Sequence, residues 1–205
     1  MADGPSPTGP QQTDPKQTGP RGNGPQGFRF LGETVRCRGW RIQLTEARFA
    51  APDGSEFERD VVRHPGAVAV VAVTDNEEVL LVRQYRGTVD RELLEIPAGT
   101  RDVEGEPPEE TARRELLEEV GVNAGRITLL GTMLNSPGFC DQETRLYLAT
   151  ELEAGSPGRH GVEEEHMEVV TVALTDVDEL VATGDVIDGQ TLLGLLLARD
   201  VLARD

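Results

Sequence analysis

Glu115, Glu118 and Glu119 crowd into the stretch RRELLEEVGV, with Arg113 and Arg114 just before them. On a helix, residues three and four apart share a face, so all three carboxylates would project together. Like charges at that spacing repel by a few tenths of a kcal/mol per pair in an isolated helix. Read alone, such a stretch is a solvated charged face. Read as chemistry, it calls for a cation that offsets the repulsion. The arginines supply part of this. A hard divalent ion supplies more, because it takes carboxylate oxygens, keeps several waters and bridges to substrate phosphates. Chemistry on a phosphate-bearing substrate would use such an ion.

The surrounding residues must hold those carboxylates in place. Pro107 and Pro108 suit the first helical turn, where a missing amide hydrogen matters least. Glu109 and Glu110 complement the helix dipole, and Gly121 suits a left-handed cap. Ala112, Leu116 and Val120 recur every four residues and form the stripe that turns inward. Arg114 follows Glu106 closely enough to pin the preceding loop to the helix. Before this helix, GAVAVVAVTDNEEVLLVRQYR reads as two apolar strands about a turn, and RELLEIPAG as a short strand running into a loop. After it come ITLLGTMLNSPGF, ETRLYLATEL and EVVTVAL as strands. TDVDELVATGD reads as a short helix capped by Thr175 or Asp176, and GQTLLGLLLARDVLAR as a closing helix. Strands and few helices in mixed order predict an α+β chain, built as an α/β/α sandwich around a mixed sheet.

The chain's 205 residues suffice for one domain and a small arm. Residues 1–27, rich in Pro, Gly, Gln and Thr, read as a disordered tail. They carry no secretory or organellar pattern, so a cytoplasmic location is expected. Residues 28–64, with a PDG turn, read as an N-terminal β arm, and 65–205 as the main domain. A formal net charge of −17 disfavours nucleic acid. No apolar run approaches the roughly 18 residues a membrane span needs. Cys37 and Cys140, far apart and outside any CxxC pattern, are expected to be packed thiols.

Gly99, Glu106, Arg114-Glu115-Leu116, Glu118-Glu119 and Gly121-Val122 together resemble the Nudix box, G-x5-E-x7-R-E-U-x-E-E-x-G-U with U bulky and aliphatic. Six residues rather than five separate Gly99 from Glu106, a departure confined to the loop. The resemblance implies a Nudix-type sandwich with an Mg²⁺ or Mn²⁺ cofactor, held by Glu115, Glu119, Glu118 and the backbone carbonyl of Ala98. Gly99, Glu106, Arg114 and Gly121 would shape the box. A general base would come from Glu118 or from the later loop HGVEEEHM, with Glu164 favoured and Glu163 next.

Pro137, sixteen residues past Gly121, is similar to the proline that marks the ADP-ribose pyrophosphatase subgroup. VRQYR, LLEIPAG and TGDVIDGQTLLGLLLA resemble that subgroup too. By this similarity Arg86 would meet a phosphate, and Glu95 would lie near the metals or the terminal ribose. The subgroup implies a homodimer acting on small nucleoside diphosphate sugars, while the charge and the absence of a long apolar run leave no nucleic-acid or membrane partner expected. The implied activity is hydrolysis of ADP-ribose to AMP and ribose 5-phosphate. The alternatives are another nucleoside diphosphate sugar, such as ADP-glucose or GDP-mannose, or a non-catalytic ADP-ribose sensor.

Overall fold

The architecture follows from one strand. β4 (Ala67–Val73) has the sequence AVAVVAV and is buried at every position, as a strand covered on both faces must be. Side chains alternate across a strand, so it feeds two cores. Ala69, Val71 and Val73 pack with Leu81, Ile96 and Leu146 and with Leu195 and Ala198 of the closing helix. Val68, Val70 and Ala72 pack with Ala112 and Leu116 of the charged helix and with Tyr147 and Ala149. Fully burying Leu116 contributes about 2 kcal/mol relative to leaving it exposed. The result is the sandwich expected from the sequence.

The computed structural model describes residues 25–156, 158 and 165–204. Around β4 the main sheet holds β5 (Glu78–Arg86), β6 (Arg91–Glu95), β7 (Ala98–Thr100), β8 (Val122–Leu134), β9 (Glu143–Ala154) and β10 (Glu168–Ala173). Its order is β10-β5-β4-β9-β8, with β6 paired to β5 and β7 to β4. The β4–β9 pair is parallel and the others antiparallel, so the sheet is mixed. Helix α1 (Pro108–Val120) covers one face; α3 (Gly189–Leu202) covers the other. The short α2 (Val177–Thr183) follows a 3-10 turn at Leu174–Asp176. Asp176 stands at its N-cap position, but its side chain makes no capping bond.

A separate three-stranded sheet runs in the order β1 (Arg29–Arg38), β2 (Gln43–Ala50), β3 (Glu56–Arg63). Among described residues, 25–34 and 46–60 form one compact unit, and 35–45 with 61–204 form another. In the first unit Phe49 stacks on Phe57 with centroids 5.3 Å apart, and Phe28 and Phe30 meet the same pair. Trp40, in the second, is 94% exposed. Cys37 is not packed as expected: it lies on the stretch of β1 that is exposed throughout, and Cys140 is half-buried. Among described residues no helix is long and apolar enough to cross a membrane.

Candidate active site

Helix α1 begins behind Pro107 and ends at Gly121, whose φ of 71° is the left-handed conformation that glycine adopts without strain. The Gly121 amide donates to the Leu117 carbonyl, closing the last turn. Between these stops the helix turns Ala112 and Leu116 inward and brings two acids with them: Glu115 is 9% exposed and Glu119 is 5%. Carboxylates are almost never buried so far without partners.

Their partners come from the helix and from β7. Arg114 donates to Glu115 over 2.7 Å and to Glu118 over 3.1 Å, and reaches back to both oxygens of Glu106 at 3.3 Å. Thr111, fully buried, also donates to Glu106 over 2.8 Å. The longer loop therefore still delivers Glu106 to the helix. It absorbs its residues in a turn where Gly105 takes a φ of 78° and the Glu106 amide donates to the Val103 carbonyl. On β7, the Ala98 amide donates to Glu119 over 3.0 Å.

The electrostatics follow from this geometry. Burial pushes the Glu115 carboxyl up to about 7, against the pull of Arg114 and with the help of Glu118 and Asp102. The hydrogen bond from Arg114 holds Glu106 below its ordinary range. Burial would pull Arg114 down, but Glu106, Glu115 and Glu118 outweigh it and the guanidinium is raised.

Gly99 explains why Glu115 can sit here. A Cβ at that position would lie 2.0 Å from the Glu115 carboxyl carbon, so the carboxylate rests in space that only glycine leaves open. Gly99→Ala is expected to displace Glu115 and lower turnover about 10²-fold, as a misplacement of roughly 1 Å does. Steady-state rates beside a melting curve check this; an alanine enzyme as fast as wild type would show that the cradle is dispensable.

A hard divalent cation suits this donor set of carboxylate oxygens beside a backbone segment. Among described residues no three acidic, His or Cys side chains converge as a metal cage; Arg114 stands between Glu115 and Glu118. The raised Glu115 gives a test. The fold binds a proton there that the unfolded chain releases above its ordinary 4.5, so this group's contribution to stability falls as pH rises toward about 7. A cation competes with that proton. Magnesium should therefore raise the melting temperature little at pH 5.5 and clearly more at pH 8, and an equal rise at both would contradict metal binding at Glu115.

A second charged group lies on β5 and β6. Their antiparallel register sets Val82 opposite Glu95, and Gln84 and Arg86 follow Val82 on the same face. Arg86 grips both oxygens of Glu95, and Gln84 donates to the same carboxylate over 3.1 Å. Glu95 is 2% exposed, whereas the Arg86 side chain keeps 36% of its surface open. Burial pulls Arg86 down, but Glu95, with Glu119 and Asp188 farther off, leaves it raised. Glu119 thus links the two groups electrostatically.

The structure brings together Arg114, Glu106, Glu115 and Glu118, sets Glu119 on Ala98 and Gly99 against Glu115, and joins Arg86 to Glu95. Pro137 is outside these networks, exposed in the turn that the Phe139 and Cys140 amides close onto the Ser136 carbonyl. Glu163 and Glu164 lie outside the described residues. Sequence reading passed over Gln84 and Thr111. For Gln84 the available signal was its alternation with Val82 and Arg86, which puts it on the Arg86 face of the strand; for Thr111 it was the spacing from Glu106.

Residues 63–193 match the family described as NUDIX domain. An ADP-ribose pyrophosphatase of Bacillus subtilis (strain 168) is 43% identical over 140 residues, covering 68% of this chain and 75% of that protein. An ADP-ribose pyrophosphatase of Mycobacterium tuberculosis (strain ATCC 25618 / H37Rv) is 42% identical over 151 residues, covering 73% and 72%. A crystal structure of an ADP compounds hydrolase superposes with a TM-score of 0.75 at 24% identity, over 86% of this chain and 95% of that one, and shows the same fold.

Proposed function

The chain belongs to the Nudix family, and from that membership we propose that it hydrolyses the pyrophosphate bond of ADP-ribose to AMP and ribose 5-phosphate. The observation that carries the reading is the burial of Glu115 and Glu119 against Gly99 and Ala98, one short step along the chain from the Glu95–Arg86 pair. Such a site combines a cation-attracting end with an arginine whose fork is already oriented.

The roles follow from the positions. Glu115 and Glu119, with Glu118 and the Ala98 carbonyl, would hold Mg²⁺ or Mn²⁺. The ion would neutralise phosphate oxygens and make the attacking water more acidic. Arg86, aimed by Glu95, takes a phosphate oxygen, since a guanidinium matches phosphate geometry with two parallel bonds. Glu164 accepts the water's proton, with Glu163 and Glu118 as the other candidate bases. The new P–O bond forms at one phosphorus as the bridging oxygen leaves with the other phosphate. Arg114, Glu106 and Gly121 keep the helix and its loop in register. Pro137 would border the substrate.

The same reading has the enzyme act in the cytoplasm as a homodimer, with residues 28–64 as the dimerising arm of a hydrolase domain at 65–205 and residues 1–27 as a passive tail. The relatives' activity on ADP-ribose supports the substrate. The test is kcat/KM across ADP-ribose, ADP-glucose and GDP-mannose. Preference for ADP-ribose supports the assignment, and selective cleavage of GDP-mannose would overturn it.

A further inference from the structure

The segment that presents Glu95 and Ala98 to the site is bolted to the first turn of α3. The Ile96 amide, buried between those two residues, donates to the Thr191 hydroxyl over 3.0 Å. That hydroxyl in turn donates to Asp188 over 2.7 Å, and the same carboxylate oxygen caps the helix by accepting from the Thr191 amide over 2.8 Å. Thr191 is fully buried, although threonine is usually exposed. One turn on, Gly194 leaves room for the Ile96 side chain: a Cβ there would lie 2.9 Å from its Cδ1. So α3 touches Ile96 twice, at its amide and at its side chain.

An ordinary helix cap needs only the Asp188 carboxylate and the Thr191 amide. Here the hydroxyl is committed as well, oriented by Asp188 so that its lone pairs face the Ile96 amide. An amide buried at that point must find an acceptor inside the protein. Held there, residue 96 fixes the chain just after Glu95, which aims Arg86, and just before Ala98, whose amide meets Glu119.

We propose that Thr191 and Asp188 are positioning residues for the active site, clamping the 95–98 segment so that Glu95 and the Ala98 backbone stand in register with Arg86 and Glu119. The inference rests on the functional reading of that segment. As positioning residues they act through the Ile96 amide.

The test uses the full chain and Thr191→Val, which keeps the shape of the side chain and removes the acceptor, beside Thr191→Ser, which retains it. Two quantities are read below the melting temperature of each protein: Mn²⁺ affinity, from the free-ion paramagnetic resonance signal, and kcat on ADP-ribose. The valine variant should lose about tenfold or more in both, the range for partners that orient a metal site, and serine should recover most of each. A folded valine variant within twofold of wild type in both would overturn the inference and leave Thr191 as packing. If valine prevents folding, Asp188→Ser decides: serine still caps the helix but is too short to hold the hydroxyl too. The same losses in that variant but not in Asp188→Asn, which drops the charge acting on Arg86 yet can still accept both bonds, support the clamp; unchanged values, or equal losses in both variants, overturn it. A wild-type protein that binds Mn²⁺ but leaves ADP-ribose intact would instead refute the substrate reading, with the Mn²⁺ comparison still deciding the clamp.

Discussion

Glu119→Gln is expected to lower turnover by on the order of 10²–10³, the loss that follows when several kcal/mol of metal stabilisation disappear. The fold should survive the change. Glu119 accepts a hydrogen bond from the Ala98 amide, and the glutamine amide oxygen can accept the same bond. At 5% exposure, a neutral amide is also easier to bury than a charge. The variant should therefore melt at or above the wild-type temperature while being nearly inactive. Rate measurements beside a thermal melt separate the two effects. Full activity would remove Glu119 from the metal site, and a collapse of stability would make it a structural residue.

Glu164→Gln should cost on the order of 10²–10⁴ in kcat, the usual contribution of a general base, with KM nearly unchanged. A group that takes a proton in the transition state contributes little to binding the ground state. The acidic limb of the pH–rate profile should flatten in the same variant. Glu163→Gln is the control one position away. If it proves the damaging change, the base is Glu163; if neither loses more than tenfold, the base lies elsewhere, with Glu118 the next candidate.

The parts of this fold that were legible in the sequence are those set by local rules. Pro107, Pro108 and Gly121 bracket α1 within a residue because proline and glycine act on their own backbone, and the Ala112–Leu116 stripe shows which side turns inward. The unbroken apolar run of β4 likewise marks a strand between two layers. Long-range register was not legible. Nothing near Arg86 in the chain shows that its fork closes on Glu95, because that pair depends on how β5 and β6 align.

Other misses have similar causes. The strand expected to start near Ile127 starts at Val122, because the chain passes from the Gly121 cap straight into the sheet with no linker. The cap of α3 is Asp188, one residue before the stretch read as helical, and its second role through Thr191 needs Ile96 from almost a hundred residues away. The Nudix box showed which residue types matter. Gly99 shows why one of them must be glycine, and that took a three-dimensional contact with Glu115.

The central claim is metal-dependent cleavage between the two phosphates of ADP-ribose, and chromatography of the products tests it most directly. The purified chain is incubated with ADP-ribose and magnesium, and in parallel with chelator. AMP and ribose 5-phosphate in equal amounts, formed with magnesium and absent with chelator, is the result expected. Intact ADP-ribose in both reactions, or cleavage that persists in chelator, would contradict it.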